Sequence, residues 1–186
     1  KTAIIRAKFQ IIKAKFMKKT LISLAASCIF AFASGIEFNT LSANFSQTVQ
    51  SDDAKISYGG DFSATKEHAV WHYKTPTIKN IFFSFTKVVV IEPELEQAII
   101  TNIKETPNLT AILANAKPNK KGVYEASFDD VKYLIEMKGD LPSKISYTDK
   151  MDNKVVINLS NVRKNAPVNE AIFKPAIPKN YDIITQ

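Results

Sequence analysis

IEFNTLSANFSQTVQSDDAKISYGGDFSATKEHAVWHYKTP, residues 36–76, is the stretch on which the reading of this chain turns. In its first third Phe38, Leu41, Phe45 and Val49 stand three or four apart, with Asn39, Ser42, Asn44 and Gln47 between them. That spacing predicts an amphipathic helix with one apolar stripe. After Ser51, Asp52 and Asp53 the period changes to two: Ile56, Tyr58 and Phe62 share a face, and a further strand carries Trp71 and Tyr73. Gly60 removes a side chain from that face, where a strand can bend or a helix can come close. The expected unit is a helix laid on a strongly curved sheet.

Outward from there the runs are short, β-branched and aromatic: 81–85, 88–91 and 95–103, then 123–128, 131–137, 144–148, 154–160 and a last short one at 181–184. Polar turns such as Asp129-Asp130 and Lys138-Gly139-Asp140 separate them, which predicts antiparallel hairpins and leaves no room for crossover helices. Alternation puts Val131, Tyr133, Ile135 and Met137 on one face, with Lys132, Glu136 and Lys138 opposite. The same parity points Ile81, Phe83 and Phe85 inward and Phe82 and Ser84 outward. A second helix is expected over 107–116, with Thr106 as N-cap, Pro107 in the first position and Leu109, Ile112 and Leu113 as its apolar stripe. The fold class is mainly β, of α+β type: a curved antiparallel sheet, apolar on one face, with too few helices to cover it. Such a sheet must close on itself or leave part of that face available to something else.

The formal net charge of +7 is concentrated in residues 1–35, which hold seven basic groups and no acid. Taking those seven from the 25 basic residues leaves 18 against 18 acids, so the remainder is neutral and carries no electrostatic warrant for nucleic-acid binding. From Met17 a Lys pair, an apolar stretch over 21–32 and small residues at Ala31 and Ala33 form a secretory signal, expected to span 17–35 and to end after Ala33 or Gly35. The apolar stretch is well short of the roughly 20 residues that a spanning helix requires. Residues 1–16 are read as an extension upstream of the start at Met17, outside the fold, and 36–186 as a single domain. Cys28, the one cysteine, lies inside the signal and is poorly placed for lipidation, because it would leave a very short apolar core. Once the leader is removed the domain has no thiol, and its stability must come from its core.

Four motifs carry a resemblance: L-S-x-x-F-x-Q (Leu41, Ser42, Phe45, Gln47) followed by G-x-F (Gly60, Phe62), W-x-Y-x-x-P (Trp71, Tyr73, Pro76), E-P-E-L-E-Q over 92–97, and F-K-P-A-I-P-K-N-Y-D over 173–182. In this order they resemble the periplasmic outer-membrane lipoprotein carrier proteins, the LolA family. The resemblance implies an incomplete, half-open β-barrel with a small α-helical lid, whose concave face receives lipoprotein acyl chains. It implies a monomeric periplasmic chaperone with no cofactor and no catalytic group. Such a chaperone takes lipoproteins from an inner-membrane lipoprotein-releasing ABC transporter and passes them to an outer-membrane acceptor. An acceptor or an envelope-stress lipid sensor of the same fold are the alternatives, and an enzyme is a third.

On this reading Phe62, Trp71, Tyr73, Ile81, Phe83, Phe85, Leu109, Ile112 and Leu113 line the lipid-binding face, although buried aromatics also serve simply as core. The family usually carries an Arg before the W-x-Y strand that helps to hold the lid. Here that place falls at Thr65, with Lys66 beside it as the candidate lid contact. Lys66 offers charge without the planar donor fork, and Arg163 is the one arginine after the leader. His68 and His72 lie four apart with no further His or mature Cys to complete a metal site, and both are expected to face solvent. Glu92, Glu94 and Glu96 around Pro93 are read as a solvated acidic face rather than a pair of catalytic carboxylates.

Overall fold

The computed structural model describes residues 38–102, 117–119, 122–128 and 130–186. The stretches expected to be an upstream extension and a signal, residues 1–16 and 17–35 with Cys28, and the helix expected over 107–116 with Leu109, Ile112 and Leu113 lie outside the described residues. Among the described residues twelve strands form one curved sheet: β1 Thr40–Gln50, β2 Lys55–Thr65, β3 Ala69–Thr75, β4 Lys79–Phe83, β5 Lys87–Glu92, β6 Gln97–Asn102, β7 Lys117–Pro118, β8 Tyr124–Phe128, β9 Val131–Lys138, β10 Leu141–Thr148, β11 Lys154–Lys164 and β12 Asp182–Thr185. Their order is β12-β6-β5-β4-β3-β2-β1-β11-β10-β9-β8-β7, so the sheet is open, with β12 and β7 at its edges. Two meanders, β1 to β6 and β8 to β11, are joined where β1 pairs with β11.

The helix expected at the start of the domain is instead β1. Leu41, Phe45 and Val49 stand four apart and satisfy a helical stripe, but they also share parity with Ala43 and Gln47. Burial along β1 follows the second pattern: Leu41, Ala43, Phe45 and Gln47 are buried while Asn44 and Ser46 are exposed. The intervening Thr, Ser and Asn residues are weak helix formers whose side chains compete for backbone hydrogen bonds. Pairing on both edges, with β2 and β11, then satisfies the backbone of β1 along most of its length, interrupted by a register shift against β11 between Ser42 and Asn44.

Other boundaries shift for local reasons. The run expected from 95 opens at Gln97, because Pro93–Leu95 form a 3-10 turn that ends with Glu96 in the left-handed region at φ 47°. Phe85 lies beyond the end of β4 at 52% exposure, in the turn where the Ser84 amide donates to the Lys87 carbonyl; strand parity therefore does not carry it inward as expected. The hairpins of the second half are where the turns placed them: Phe128 pairs with Val131 around Asp130 at φ 65°, and Lys138 pairs with Leu141 around Gly139 at φ 64°. The last strand pairs parallel to β6 rather than extending the meander.

The sheet has two differently covered faces. The inner face carries residues of β1–β6 and β8–β11 in one buried cluster. The outer face is buried over β3–β6, where Val70, Phe82, Val89, Ile91 and Ala98 pack under Phe173. The segment after β11 supplies that cover: Asn169 caps a 3-10 turn, Glu170–Phe173, by accepting from the Ala171 amide at 3.0 Å, and Val168, Ile172, Ile177 and Tyr181 pack beside Phe173 before β12 joins β6. Phe82 thus points outward as parity requires, yet it is buried. Among the described residues no helix is long and apolar enough to cross a membrane.

Candidate functional site

Register builds the inner face as rows of side chains across the strands. One row runs Ala43, Phe62, Trp71, Ile81, Val90 and Ile99, each directly opposite the next and all buried. Phe62 stacks on Trp71 with ring centroids 4.9 Å apart and planes at 16°. The neighbouring row is Leu41, Ala64, Ala69, Phe83 and Val88, where two alanines leave room beside large residues. In the row Phe45, Gly60, Tyr73 the glycine is required for packing: a Cβ there would lie 3.0 Å from Phe45 Cε1 and far too close to the His72 carbonyl oxygen. Without it the Phe45 and Tyr73 rings meet across β2 at 4.9 Å, and Phe45 meets Trp71 at 4.7 Å, both edge to face. The register shift between Gly59 and Gly60 against β3 is the bend that the sequence predicts at this place.

A polar group interrupts this apolar surface. Gln47 on β1 is fully buried, opposite Tyr58 on β2 and Ile157 on β11, and the row continues through Ile145 and Ile135. Its Oε1 accepts a hydrogen bond from the Tyr73 hydroxyl at 2.8 Å. Neither Gln47 Nε2 nor the indole Nε1 of Trp71 has an acceptor among the described residues. Leaving a buried donor unmet costs about 1–3 kcal/mol, which is set against the hydrogen bond that the amide oxygen accepts from the buried Tyr73 hydroxyl. At the edge of the patch the Lys79 ammonium lies over the rings of Tyr73 and Tyr58, at 4.8 and 5.7 Å from their centroids, and desolvation raises the Tyr58 pKa.

Of the residues assigned to the lipid-binding face from sequence, Phe62, Trp71, Tyr73, Ile81 and Phe83 come together in this one cluster. Phe85 does not belong to it. Phe45 and Gln47 were hidden by the helical reading of 36–50, which put Gln47 on the polar side; the even spacing 41, 43, 45, 47 is the signal that finds them. Lys66 is exposed in the turn between β2 and β3, and the Thr65 hydroxyl in the place of the family's Arg accepts from the amides of Glu67 and His68 at 3.2 and 3.0 Å. The histidines are half-buried rather than solvent-facing: His68 stacks on Phe173 at 6.0 Å, and His72 Nδ1 hydrogen-bonds Asn80 Oδ1 at 2.8 Å. Glu94 and Glu96 are exposed, and Glu92 accepts from the Gln97 side chain. No group of three or more His, Cys, Asp or Glu side chains suited to a metal ion occurs among the described residues.

The family described as outer membrane lipoprotein carrier protein LolA matches residues 37–129, half of the chain and all of β1 to β6. An outer-membrane lipoprotein carrier protein of Campylobacter jejuni is 38% identical over 168 residues, covering 90% of this chain and 99% of that protein. Its counterpart in Wolinella succinogenes is 31% identical over 169 residues, covering 89% and 96%. A crystal structure of an uncharacterized conserved protein from Thermus thermophilus covers 87% of this chain and 99% of its own with a TM-score of 0.53, a likeness of fold alone at 10% identity. The motifs, the sheet they build and these full-length matches agree: the chain belongs to the LolA family of outer-membrane lipoprotein carrier proteins.

Proposed function

We propose that this protein is a periplasmic carrier that shields the acyl chains of lipoproteins between an inner-membrane ABC transporter, which releases them, and an outer-membrane acceptor. The observation that carries the reading is the inner face itself: an apolar, aromatic surface continuous across both meanders of an open sheet, in a chain whose full-length relatives are named lipoprotein carriers. At about 0.8 kcal/mol per buried CH₂, a myristoyl-length chain exposes roughly 10 kcal/mol of hydrophobic free energy to water, so lipidated cargo does not cross an aqueous gap unaided. Reversible burial on an apolar face meets that need without a catalytic group or cofactor. Directionality then rests with the partners, since a carrier that binds both donor and acceptor forms equally shifts no equilibrium.

The test is release of a lipoprotein from inner-membrane vesicles that contain the transporter and ATP. With the mature protein present, the lipoprotein is expected in the soluble fraction as a complex with it, and mass analysis of material purified from the periplasm should show an N-terminus at Ser34 or Ile36. Lipoprotein that stays with the vesicles whatever the carrier concentration would refute the carrier reading. A diacylglyceryl group on Cys28 would replace it with the membrane-anchored acceptor.

A further inference from the structure

The carrier reading accounts for the apolar rows of the inner face and leaves Gln47 unexplained. This amide is fully buried in a row whose β11, β10 and β9 members are Ile157, Ile145 and Ile135. Its oxygen accepts from the Tyr73 hydroxyl, and Nε2 is the end without an acceptor among the described residues. Trp71, two residues before Tyr73 on the same face, presents a second donor, Nε1, also without an acceptor among the described residues. Phe45 packs against both Trp71 and Tyr73, so the two donors border one aromatic patch. The patch offers donors and asks for acceptors. A hydrocarbon chain brings neither, and a hydroxyl brings a donor that would itself need a partner; a carbonyl at the head of an alkyl chain brings acceptor lone pairs alone.

We propose that Gln47 is a subsite that reads the carbonyl oxygen joining an acyl chain to its cargo, as in a glyceryl ester or an N-acyl amide. The proposal rests on the carrier reading and deepens it: the apolar rows hold chain length, while the amide sets how deep the chain enters and distinguishes an acyl chain from a plain alkyl one. Tyr73 is the positioning residue, because its hydroxyl orients the Gln47 amide.

Binding of three probes to the mature protein tests this: a synthetic lipopeptide carrying two ester-linked palmitoyl chains on a glyceryl-cysteine, the same lipopeptide with ether-linked hexadecyl chains, and palmitic acid. The wild-type protein is expected to hold the ester probe about ten-fold tighter than the ether probe, the size of one well-made buried hydrogen bond to a carbonyl. Gln47→Leu should lower ester affinity to that of the ether probe and leave the ether probe unchanged. Tyr73→Phe, which keeps the amide but frees its orientation, should reduce the discrimination in part. Palmitic acid weakened by Gln47→Leu as much as the ester would show that any carbonyl-headed chain is read, and palmitic acid unaffected would restrict the subsite to the ester linkage. Equal binding of ester and ether probes by the wild-type protein overturns the proposal and leaves the carrier reading standing, and it does so whether or not Gln47→Leu folds. If neither lipopeptide binds, the carrier reading fails and the subsite fails with it.

Discussion

The two meanders of this sheet share one inner face but differ in what lies behind them. Behind β3–β6 the chain after β11 is laid down, and Val70, Phe82, Val89, Ile91 and Ala98 are sealed beneath Phe173. Behind β9 there is solvent: Lys132 and Glu136 are exposed, and Leu134 is 37% exposed. The sequence of each half records the difference. β5 reads as an unbroken buried run from Val88 to Ile91, while β9 alternates strictly. The sealed half is held by buried side chains on both of its faces. The one-sided half depends on that face alone for its burial.

Placing the same substitution behind each half gives the largest contrast. Val89→Asp puts a carboxylate under Phe173 with no partner and is expected to cost about 3–5 kcal/mol, enough to unfold a marginal domain, whereas Leu134→Asp should stay within ~0.5 kcal/mol. Chemical denaturation of the two variants decides it, and equal losses would mean that the two halves are covered alike. Phe173→Ala removes the seal alone, with an expected loss of about 3 kcal/mol and faster hydrogen exchange in β12 and β6 than in β9 and β10. Protection lost evenly across all strands would show that the seal serves the whole sheet. Gly60→Ala, on β2 beside the sealed strands, should cost about 2 kcal/mol by driving β2 from β3 and parting the Phe45 and Tyr73 rings, a change visible in near-ultraviolet circular dichroism. An unchanged aromatic signal would separate the glycine from the ring packing.

The smallest effect belongs to the solvated back of the other half. There the Lys132 ammonium, 2.6 Å from Glu125, and the Asn119 amide at 3.0 Å hold the Glu125 carboxyl below its usual range. A depressed carboxylate contributes stability above its unfolded pKa and loses it as pH falls through the folded one, so this contribution disappears only on acidification. Lys132→Ala should return the Glu125 titration, followed by NMR, toward the ordinary carboxylate value with little change in neutral-pH stability. A titration that does not move would remove Lys132 as the cause.

Much of this was legible because period-two alternation and turn chemistry are local. Val131, Tyr133 and Ile135 face inward as their spacing requires, the turns at Asp130 and Gly139 close where they were expected, and Trp71 and Tyr73 share a face by parity. What failed was the choice between two periods that agree at 41, 45 and 49, and with it the place of Gln47. Spacing of four is compatible with helix and strand alike, and the deciding fact, a partner strand on each side of β1, is non-local. The same holds for the two sides of β4: alternation assigned Phe82 to the outer face, but a residue facing outward is buried or exposed according to what the rest of the chain lays over it.

By itself, then, the sequence determined a mainly β chain with one apolar face, the positions of most hairpins, and membership of a carrier family through motifs spread from Leu41 to Asp182. These follow from side-chain alternation and from Gly, Asn and Asp at turns, properties of a few consecutive residues. Only the tertiary structure decided that the first segment is the strand joining both meanders, that the closing segment seals the outer face behind β3–β6, and that a glutamine lies in the middle of the apolar inner face. Each depends on pairing or packing between residues far apart in the chain, where burial offsets the cost of ordering and no local pattern records it.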